Sequence, residues 1–474
     1  MKQQSLSSGV FIVLVTNIIS MIFNLLLNFI QPRYLSVETY SIIKTFTLYL
    51  CATGLFHLGY VDGMYIKYGG KDISTLNKDE LCINISSMRV LQVVIAGLVV
   101  ICGCLVKDTV ILLFGLLLIP YNMTMYYKLL YQAVGEFSEY GRIMNLSTVL
   151  VFICNLYLIF IAHIDYYFWY LVIQIIIYFV LWMYLERDFF HKLQIKIKLL
   201  SFSIQETTES LKSGFLVMLG NFSSIFLVCM DRWQVKYLLP MLDFAGYSFA
   251  ISIEGFLNVA VTPFSITLYN FFCREQSVEK QRRINNMMLL IATTVVASAY
   301  VVKCVMEVYL PNYLFATNVL FFHFASQVFF LIIKSVYVNL YKAQKRQTLY
   351  FTKLMIVLSS GFIINLCVFL IIHTMEAMAI GTLCSAIFWY VLCIRDFKDL
   401  RLDFSHGFYL ISTLIVFIST GCLLNAVCGL LIYSMLIIIF LCTILRNDSI
   451  FLLKQIHNFI NKKNHESSSI NEYL

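Results

Sequence analysis

The stretch GVFIVLVTNIISMIFNLLLNFI, residues 9–30, contains no charged side chain. A helix needs about 20 predominantly apolar residues to cross the hydrocarbon of a bilayer. The apolar part of a signal peptide is shorter and ends at a small-residue cleavage motif, which does not follow residue 30. We therefore interpret this stretch as a membrane-spanning helix.

The rest of the chain has the same character. Of its 474 residues, 60% are hydrophobic and 13% are charged. Only helices and closed barrels satisfy their backbone polar groups inside a bilayer, and barrel strands are short and alternate in polarity. The long uncharged runs therefore predict an all-α integral membrane protein. The 14 cysteines are scattered among apolar residues without the spacing of a zinc or redox site, so we predict no metal site.

The uncharged runs predict about 14 transmembrane helices. Their expected bounds are 9–30, 41–61, 86–106, 109–128, 143–163, 166–185, 213–232, 245–270, 286–306, 313–338, 354–373, 377–394, 407–424 and 428–445. If the N-terminus is inside, most of the 34 lysines and arginines lie in or beside cytoplasmic loops, as the positive-inside rule requires. We therefore expect both termini in the cytoplasm, and we attribute the net charge of +8 to these loops rather than to nucleic-acid binding.

Two short sequences repeat each other, LYQAVGEFSEY at residues 130–140 and LYKAQKRQTLY at residues 340–350. The matching positions are Leu130, Tyr131, Ala133 and Tyr140 in the first copy and Leu340, Tyr341, Ala343 and Tyr350 in the second. The copies follow the fourth and the tenth predicted spans. An even number of helices between copies keeps the same orientation in the membrane, so the repeat predicts two six-helix lobes in a parallel pseudo-repeat plus a C-terminal helix pair.

The predicted organisation has five parts. Residues 1–190 form an N-terminal six-helix lobe, and residues 191–212 form a basic cytoplasmic linker that suits anionic headgroups. Residues 213–396 form a C-terminal six-helix lobe, residues 397–446 the terminal helix pair, and residues 447–474 a cytoplasmic tail.

Three motifs carry a resemblance to a known family: RYLSVETYS at residues 33–41, HLGYVDGMYIKYGG at 57–70 and DRWQVKYL at 231–238. With these motifs and its span arrangement, the chain resembles the polysaccharide transporters of the multidrug/oligosaccharidyl-lipid/polysaccharide (MOP) exporter superfamily, and more narrowly the Wzx-type O-antigen repeat-unit flippases. Arg33, Leu35 and Tyr40 fit the family's first outer loop, whereas Ser41 replaces its usual glycine.

This resemblance implies a flippase rather than an enzyme. It would move an undecaprenyl-diphosphate-linked oligosaccharide, an O-antigen or similar repeat unit, across a bacterial inner membrane by alternating access. The implied partners are that glycan, the phospholipid bilayer, a polysaccharide polymerase and a chain-length regulator, and no nucleic acid. No cofactor is expected, although a proton or sodium gradient could drive transport.

Cations within or near the predicted spans are candidates for binding the diphosphate. They are Lys44, Arg232, Lys236, Lys303 and Lys334. Ionisable residues at membrane depth are expensive and therefore point to function. The alternative is that a long basic side chain reaches the headgroups and anchors its helix, which applies to Lys334 as a snorkelling residue and to Lys44, Arg33, Arg232 and Lys236 as anchors.

Other polar residues within predicted spans also have two interpretations. Glu254 could bind a coupling proton or cation, or it could be a neutral acid hydrogen-bonded between helices. Asn24 and Asn28 share one face of the first helix with Asn17 and Gln31 and could line a sugar path, or they could bond neighbouring helices. His323 is interpreted as a packed histidine rather than as a proton relay.

Two rival functions were weighed against the sequence. A drug or cation exporter of the related MATE family would have fewer spans and an acidic cavity, whereas this chain offers more intramembrane cations than acids. A membrane polysaccharide polymerase or acyltransferase is a second rival. A polymerase would carry a large external loop, but every predicted outer loop is short, and no nucleotide-binding loop or nucleophile triad occurs in the sequence.

Overall fold

The computed structural model describes residues 6–194, 202–275, 277–446 and 450, with the side chains of residues 6–11, 74, 258–267 and 270 left out. Within these residues there are helices and turns but no strand. Eleven of the described helices are long and apolar enough to cross a membrane. The predicted fold class is confirmed: the chain is an all-α, multi-pass membrane protein.

The chain divides into two compact units, Met1–Ile253 and Glu254–Leu474. The helices of the first unit are α1 (Leu6–Tyr34), α2 (Val37–Cys51), α3 (Tyr60–Tyr68), α4 (Lys78–Val106), α5 (Thr109–Ala133), α6 (Phe137–Leu156), α7 (Tyr167–Leu193) and α8 (Ile204–Leu238). Helix α9 (Met241–Arg274) begins in the first unit and continues in the second.

The helices of the second unit follow α9. They are α10 (Val278–Val295), α11 (Ser298–Tyr309), α12 (Thr317–Ile332), α13 (Val338–Ala343), α14 (Gln347–Ile372), α15 (Met375–Asp396), α16 (Phe404–Leu423) and α17 (Ala426–Cys442). A π-helical turn, Ile333–Tyr337, joins α12 to α13. The predicted total of 14 spans stays a prediction, because three of the predicted spans, 41–61, 245–270 and 428–445, are not among the eleven.

The second predicted span, residues 41–61, is not one continuous helix. Helix α2 ends at Cys51, and α3 begins only at Tyr60. Between them, Leu58 and Gly59 have positive φ angles of 50° and 86°. A left-handed residue cannot continue a right-handed helix, so the chain changes direction before α3.

Glycines allow α3 to pack directly on α8. A Cβ added at Gly63 would lie 2.0 Å from the carbonyl oxygen of Ser210, and one added at Gly214 would lie 2.0 Å from that of Gly59. Such close backbone approach is typical of small residues spaced four apart in membrane helices. Helix α8 is therefore part of the first compact unit, whereas the sequence repeat groups residues 213–232 with the second lobe; the predicted lobes stay predictions.

The two repeated sequences have the same backbone structure. The amide of Glu136 donates to the carbonyl of Tyr131 over 2.8 Å, and that of Arg346 donates to the carbonyl of Tyr341 over 2.8 Å. In both copies a helix ends at the alanine and the next helix begins four residues later, at Phe137 or at Gln347. The repeat is therefore present in the folded backbone as well as in the residue types.

Candidate functional site

Lys44 lies buried within the first unit, with 6% of its surface exposed. Its Nζ donates to Oδ1 of Asn28 over 2.6 Å and to Oγ of Ser252 over 3.0 Å, and it lies 5.2 Å from the centroid of the Tyr40 ring. These groups come from α1, α2 and α9. The two oxygens accept from two of the ammonium's three donors but do not neutralise its charge, so Lys44 is a buried cation held by neutral oxygens.

A second positive charge lies close to Lys44. Arg232, a partly buried residue of α8, is near enough for its charge to act on Lys44. The buried Nε of Arg232 has no hydrogen-bond partner among the described residues. The neighbouring Asp231 accepts from the hydroxyl of Tyr247 over 3.0 Å and from the backbone amide of Arg232 over 2.7 Å. The Nε–H of Arg232 is therefore a buried donor that no described residue uses.

Lys236 is held near aromatic rings one turn further along α8. Its Nζ donates to the hydroxyl of Tyr49 over 2.7 Å and lies 4.3 Å from the centroid of that ring. The rings of Trp233 and Tyr237 lie 5.8 and 5.4 Å from the same nitrogen, and Trp233 stacks on Tyr49. Such rings stabilise a cation without neutralising it. The first unit therefore holds three of the predicted cations, Lys44, Arg232 and Lys236.

The predicted polar face of α1 separates into different contacts. Asn28 joins Lys44, as described above, and its Nδ2 reaches the carbonyl of Ser252 over 3.4 Å. Asn24 is exposed and donates to the carbonyl of Ser20 in its own helix over 2.8 Å. Gln31 is buried and donates to Asn155 of α6 over 3.0 Å. A ligand role for Asn24 stays a prediction.

In the second unit, Glu254 of α9 meets His323 of α12. Both side chains are buried, with 3% and 1% of their surfaces exposed. Nδ1 of His323 lies 3.4 Å from Oε2 of Glu254. Lys334, in the π-helical turn after α12, is near enough for its charge to act on Glu254, and its Nζ lies 5.8 Å from the Phe330 ring centroid. Glu254 and Lys334 were both predicted from the sequence; His323 was expected only to pack.

Lys303 has a different position in the second unit. Its Nζ donates to the carbonyl of Gly421 over 2.8 Å and to that of Leu424, and it lies 4.0 Å from Oε1 of Glu307. Those carbonyls are at the C-terminal end of α16, where a cation is favoured by the helix dipole. This placement gives Lys303 a structural task, and its role towards a ligand stays a prediction.

Sequence reasoning missed some members of these clusters. Ser252 and Tyr49 carry no signal of their own, because serine and tyrosine are common in membrane helices. Trp233 and Tyr237 could have been found, since both fall in the DRWQVKYL motif with Lys236. Trp233 and Tyr237 are four residues apart, so they share a face of α8.

Comparisons with known proteins rest on structure alone, because no family model and no curated protein matches the sequence. The solved structure of the lipid II flippase MurJ in an inward closed conformation aligns with a TM-score of 0.57 and 15% identity. The alignment covers 91% of this chain and 98% of that one. The chain therefore shares the fold of that MurJ structure.

Further solved structures align with this chain at lower TM-scores than the MurJ structure does. A mutant of the Vibrio cholerae MATE transporter VcmN has a TM-score of 0.46 at 15% identity, over 82% of this chain and 93% of that one. A MOP superfamily transporter from Pyrococcus furiosus has a TM-score of 0.37 at 12% identity, over 83% of this chain and 94% of that one. At these scores they add no argument to that from MurJ.

Proposed function

We propose that this protein is a MOP superfamily transporter that flips an undecaprenyl-diphosphate-linked oligosaccharide across a bacterial inner membrane. The observation that carries the proposal is the cation pair of buried Lys44 and partly buried Arg232, in the first unit of a chain with the MurJ fold. The ligand named for that neighbour, lipid II, belongs to the same chemical class as the proposed substrate.

The physical problem is the charged head of the substrate. Moving a diphosphate and its sugars into hydrocarbon without compensation would cost many kcal/mol. A route across the membrane therefore needs cations that are already desolvated and held in position. Lys44 meets this requirement because Asn28 and Ser252 fix its ammonium, and Arg232 adds a guanidinium whose planar fork suits phosphate oxygens.

Other predicted residues have secondary tasks in this proposal. Lys236 and its aromatic neighbours would contact the sugars or the diphosphate, and Asn24 would contact the sugars. Lys303 and Lys334 are kept as cations of the second unit, and Glu254 as its ion-coupling acid. With both termini in the cytoplasm, the membrane potential would favour outward movement of an anion by about 2.3 kcal/mol per charge per 100 mV. A polysaccharide polymerase and a chain-length regulator would act on the flipped product.

The test is the leaflet distribution of undecaprenyl-diphosphate-linked oligosaccharides in cells depleted of this protein. A periplasmic probe that cannot cross the inner membrane would report units in the outer leaflet. We expect completed units to accumulate where the probe cannot reach and to become accessible when the parent chain is restored. Accumulation of single units within reach of the probe would instead indicate a failed polymerisation step, and an unchanged distribution would favour a drug exporter.

Variants of the first unit connect this assay to the structure. Arg232→Gln should restore less accessible glycan than the parent chain at equal protein level. Arg33→Gln is a matched control, because Arg33 lies at the end of α1 and outside the cation pair. If both variants behave like the parent, Arg232 is not part of the substrate site.

A further inference from the structure

Among the described membrane spans of the second unit, the most deeply enclosed one carries a buried histidine. In the span Pro311–Ala343, 89% of the most apolar stretch is buried, compared with 11% for the span Ile12–Tyr34. Along this span, His323, Gln327 and Lys334 are 4 and 7 residues apart, so they lie near one helical face. A polar face on an enclosed membrane helix indicates a functional site.

Glu254 faces this polar stripe from α9. The charged groups that act on it are His323, with Nδ1 at 3.4 Å, and Lys334. Oε2 of Glu254 makes no hydrogen bond among the described residues. An ionised carboxylate in such a place is expensive unless a cation or a proton compensates it. The histidine beside it is the one side chain type whose unperturbed titration falls near neutral pH.

We propose that Glu254 and His323 together form a proton-binding site that couples transport to the proton gradient. The site exchanges a single proton with the surroundings, and that proton is shared between the carboxylate and the imidazole. The direction of coupling rests on the proposed flippase function. The existence of the site does not, because proton binding can be measured on the protein alone.

The same geometry disfavours sodium. Hard cations take oxygen ligands, whereas the group nearest to Glu254 is an imidazole nitrogen. The ammonium of Lys334 acts on the same carboxylate, and it would repel a second cation there. A proton needs no shell of oxygen ligands and can be held between a carboxylate and an imidazole.

The test counts protons bound by the purified protein in detergent. A pH-sensitive dye would report proton release after a step from mildly acidic to mildly alkaline pH. We expect Glu254→Gln and His323→Gln each to release about one proton fewer than the parent, since either change removes the shared site. The matched controls are His406→Gln, another buried histidine of the second unit, and Glu307→Gln, whose carboxylate is paired with Lys303.

For these controls we expect a smaller loss over the same range than for the two site variants. Equal proton release by the parent, Glu254→Gln and His323→Gln would overturn the proposal. Sodium chloride added to the parent at constant pH should release no more protons than choline chloride. A release specific to sodium that disappears in Glu254→Gln would identify a sodium site and would also overturn it.

If Glu254→Gln does not fold, Glu254→Asp keeps the carboxylate and shortens its reach to His323. We expect folded Glu254→Asp to release its proton at a shifted pH, and an unshifted titration would contradict the shared site. Normal proton binding combined with failed flipping would leave the proton site intact and remove the proposed function. Normal flipping by a variant that has lost this proton would keep the proposed function and remove the coupling role of the site.

Discussion

The cluster around Lys44 in the first compact unit and the cluster around Glu254 in the second hold their buried charges in different ways. In the first unit, the described hydrogen bonds of Lys44 go to neutral oxygens, and Arg232 adds a second positive charge. In the second unit, Glu254 faces a histidine and a lysine, so opposite charges compensate each other. An uncompensated cation favours an anionic ligand, whereas a compensated cluster can exchange a proton at a smaller cost. The difference shows that a buried charge alone does not identify a substrate site. The groups that contact the charge determine whether the site favours an anionic ligand or a proton.

The largest expected effect is on the flipping rate, and it tests the role assigned to the Lys44 cluster of the first unit. Lys44→Met removes the buried charge but keeps the length of the side chain. We expect flipping to fall about 100-fold, because the diphosphate of the bound substrate would lose the ammonium of Lys44 as its partner. Losing one partner of a buried charge pair costs about 2 to 5 kcal/mol. Flipping rates in reconstituted vesicles would measure this effect, with Lys128→Met, a lysine of α5, as the control.

Thermal unfolding of the same variant separates function from stability. Replacing a buried charge by an apolar group of similar size is often neutral or stabilising. We therefore expect the thermal midpoint of Lys44→Met to match or exceed that of the parent. A lower midpoint together with lost flipping would show that Lys44 is a structural residue.

A purely structural defect in the first unit sharpens this distinction. Gly63→Ala places a Cβ 2.0 Å from the carbonyl oxygen of Ser210, so α3 and α8 must move apart. We expect the free energy of unfolding to fall by about 2 kcal/mol. The control is Gly97→Ala in α4, where an added Cβ meets nothing within 4 Å. Equal thermal midpoints for the two variants would contradict the close α3–α8 contact.

Two lysines of the second unit, Lys334 and Lys303, are expected to differ in their effects on flipping and on stability. We expect Lys334→Ala to lower flipping about tenfold, because Lys334 acts on Glu254. Lys303→Ala should change flipping less and should lower the thermal midpoint, because Lys303 caps the end of α16. Protein levels must be equal in both strains. Parent activity in Lys334→Ala would remove that residue from the site.

The smallest expected effect concerns the two repeated turns. Gly135 has a φ of 80°, and Lys345 at the matching position has a φ of 55°. Since only glycine adopts this conformation without strain, Lys345→Gly should stabilise the protein by up to about 1 kcal/mol, and Gly135→Ala should destabilise it by about as much. Thermal unfolding would show midpoints shifted in opposite directions; shifts of the same sign would mean that the turns differ.

The fold class could be predicted because it depends on local properties. An uncharged run is long enough to span a bilayer whatever surrounds it, so most predicted spans coincide with described helices. The break between α2 and α3 was missed because Leu58 gives no sign of a positive φ. The spacing of Gly59 and Gly63 was visible in the sequence and could have predicted a close helix crossing.

The contacts of the site depend on helix rotation and packing, which the sequence does not specify. Lys44 and Asn28 were both candidates, but nothing in the sequence shows that they bond each other. His323 was expected to pack because its partner Glu254 is remote in the chain. Lys303 looked like a cavity cation for the same reason: the carbonyls that it caps come from a later helix.

The close contact between α3 and α8 decides where this chain could be divided into separately expressed fragments. A cut between α7 and α8, within the basic linker, would place α8 on the fragment that lacks α3. The two backbones touch at Gly63 and Gly214. The fragment with α3 would therefore expose the glycine surface on which α8 packs, and α8 would lose that packing contact. A cut after α8, at Leu239 or Pro240, would leave that helix pair on one polypeptide.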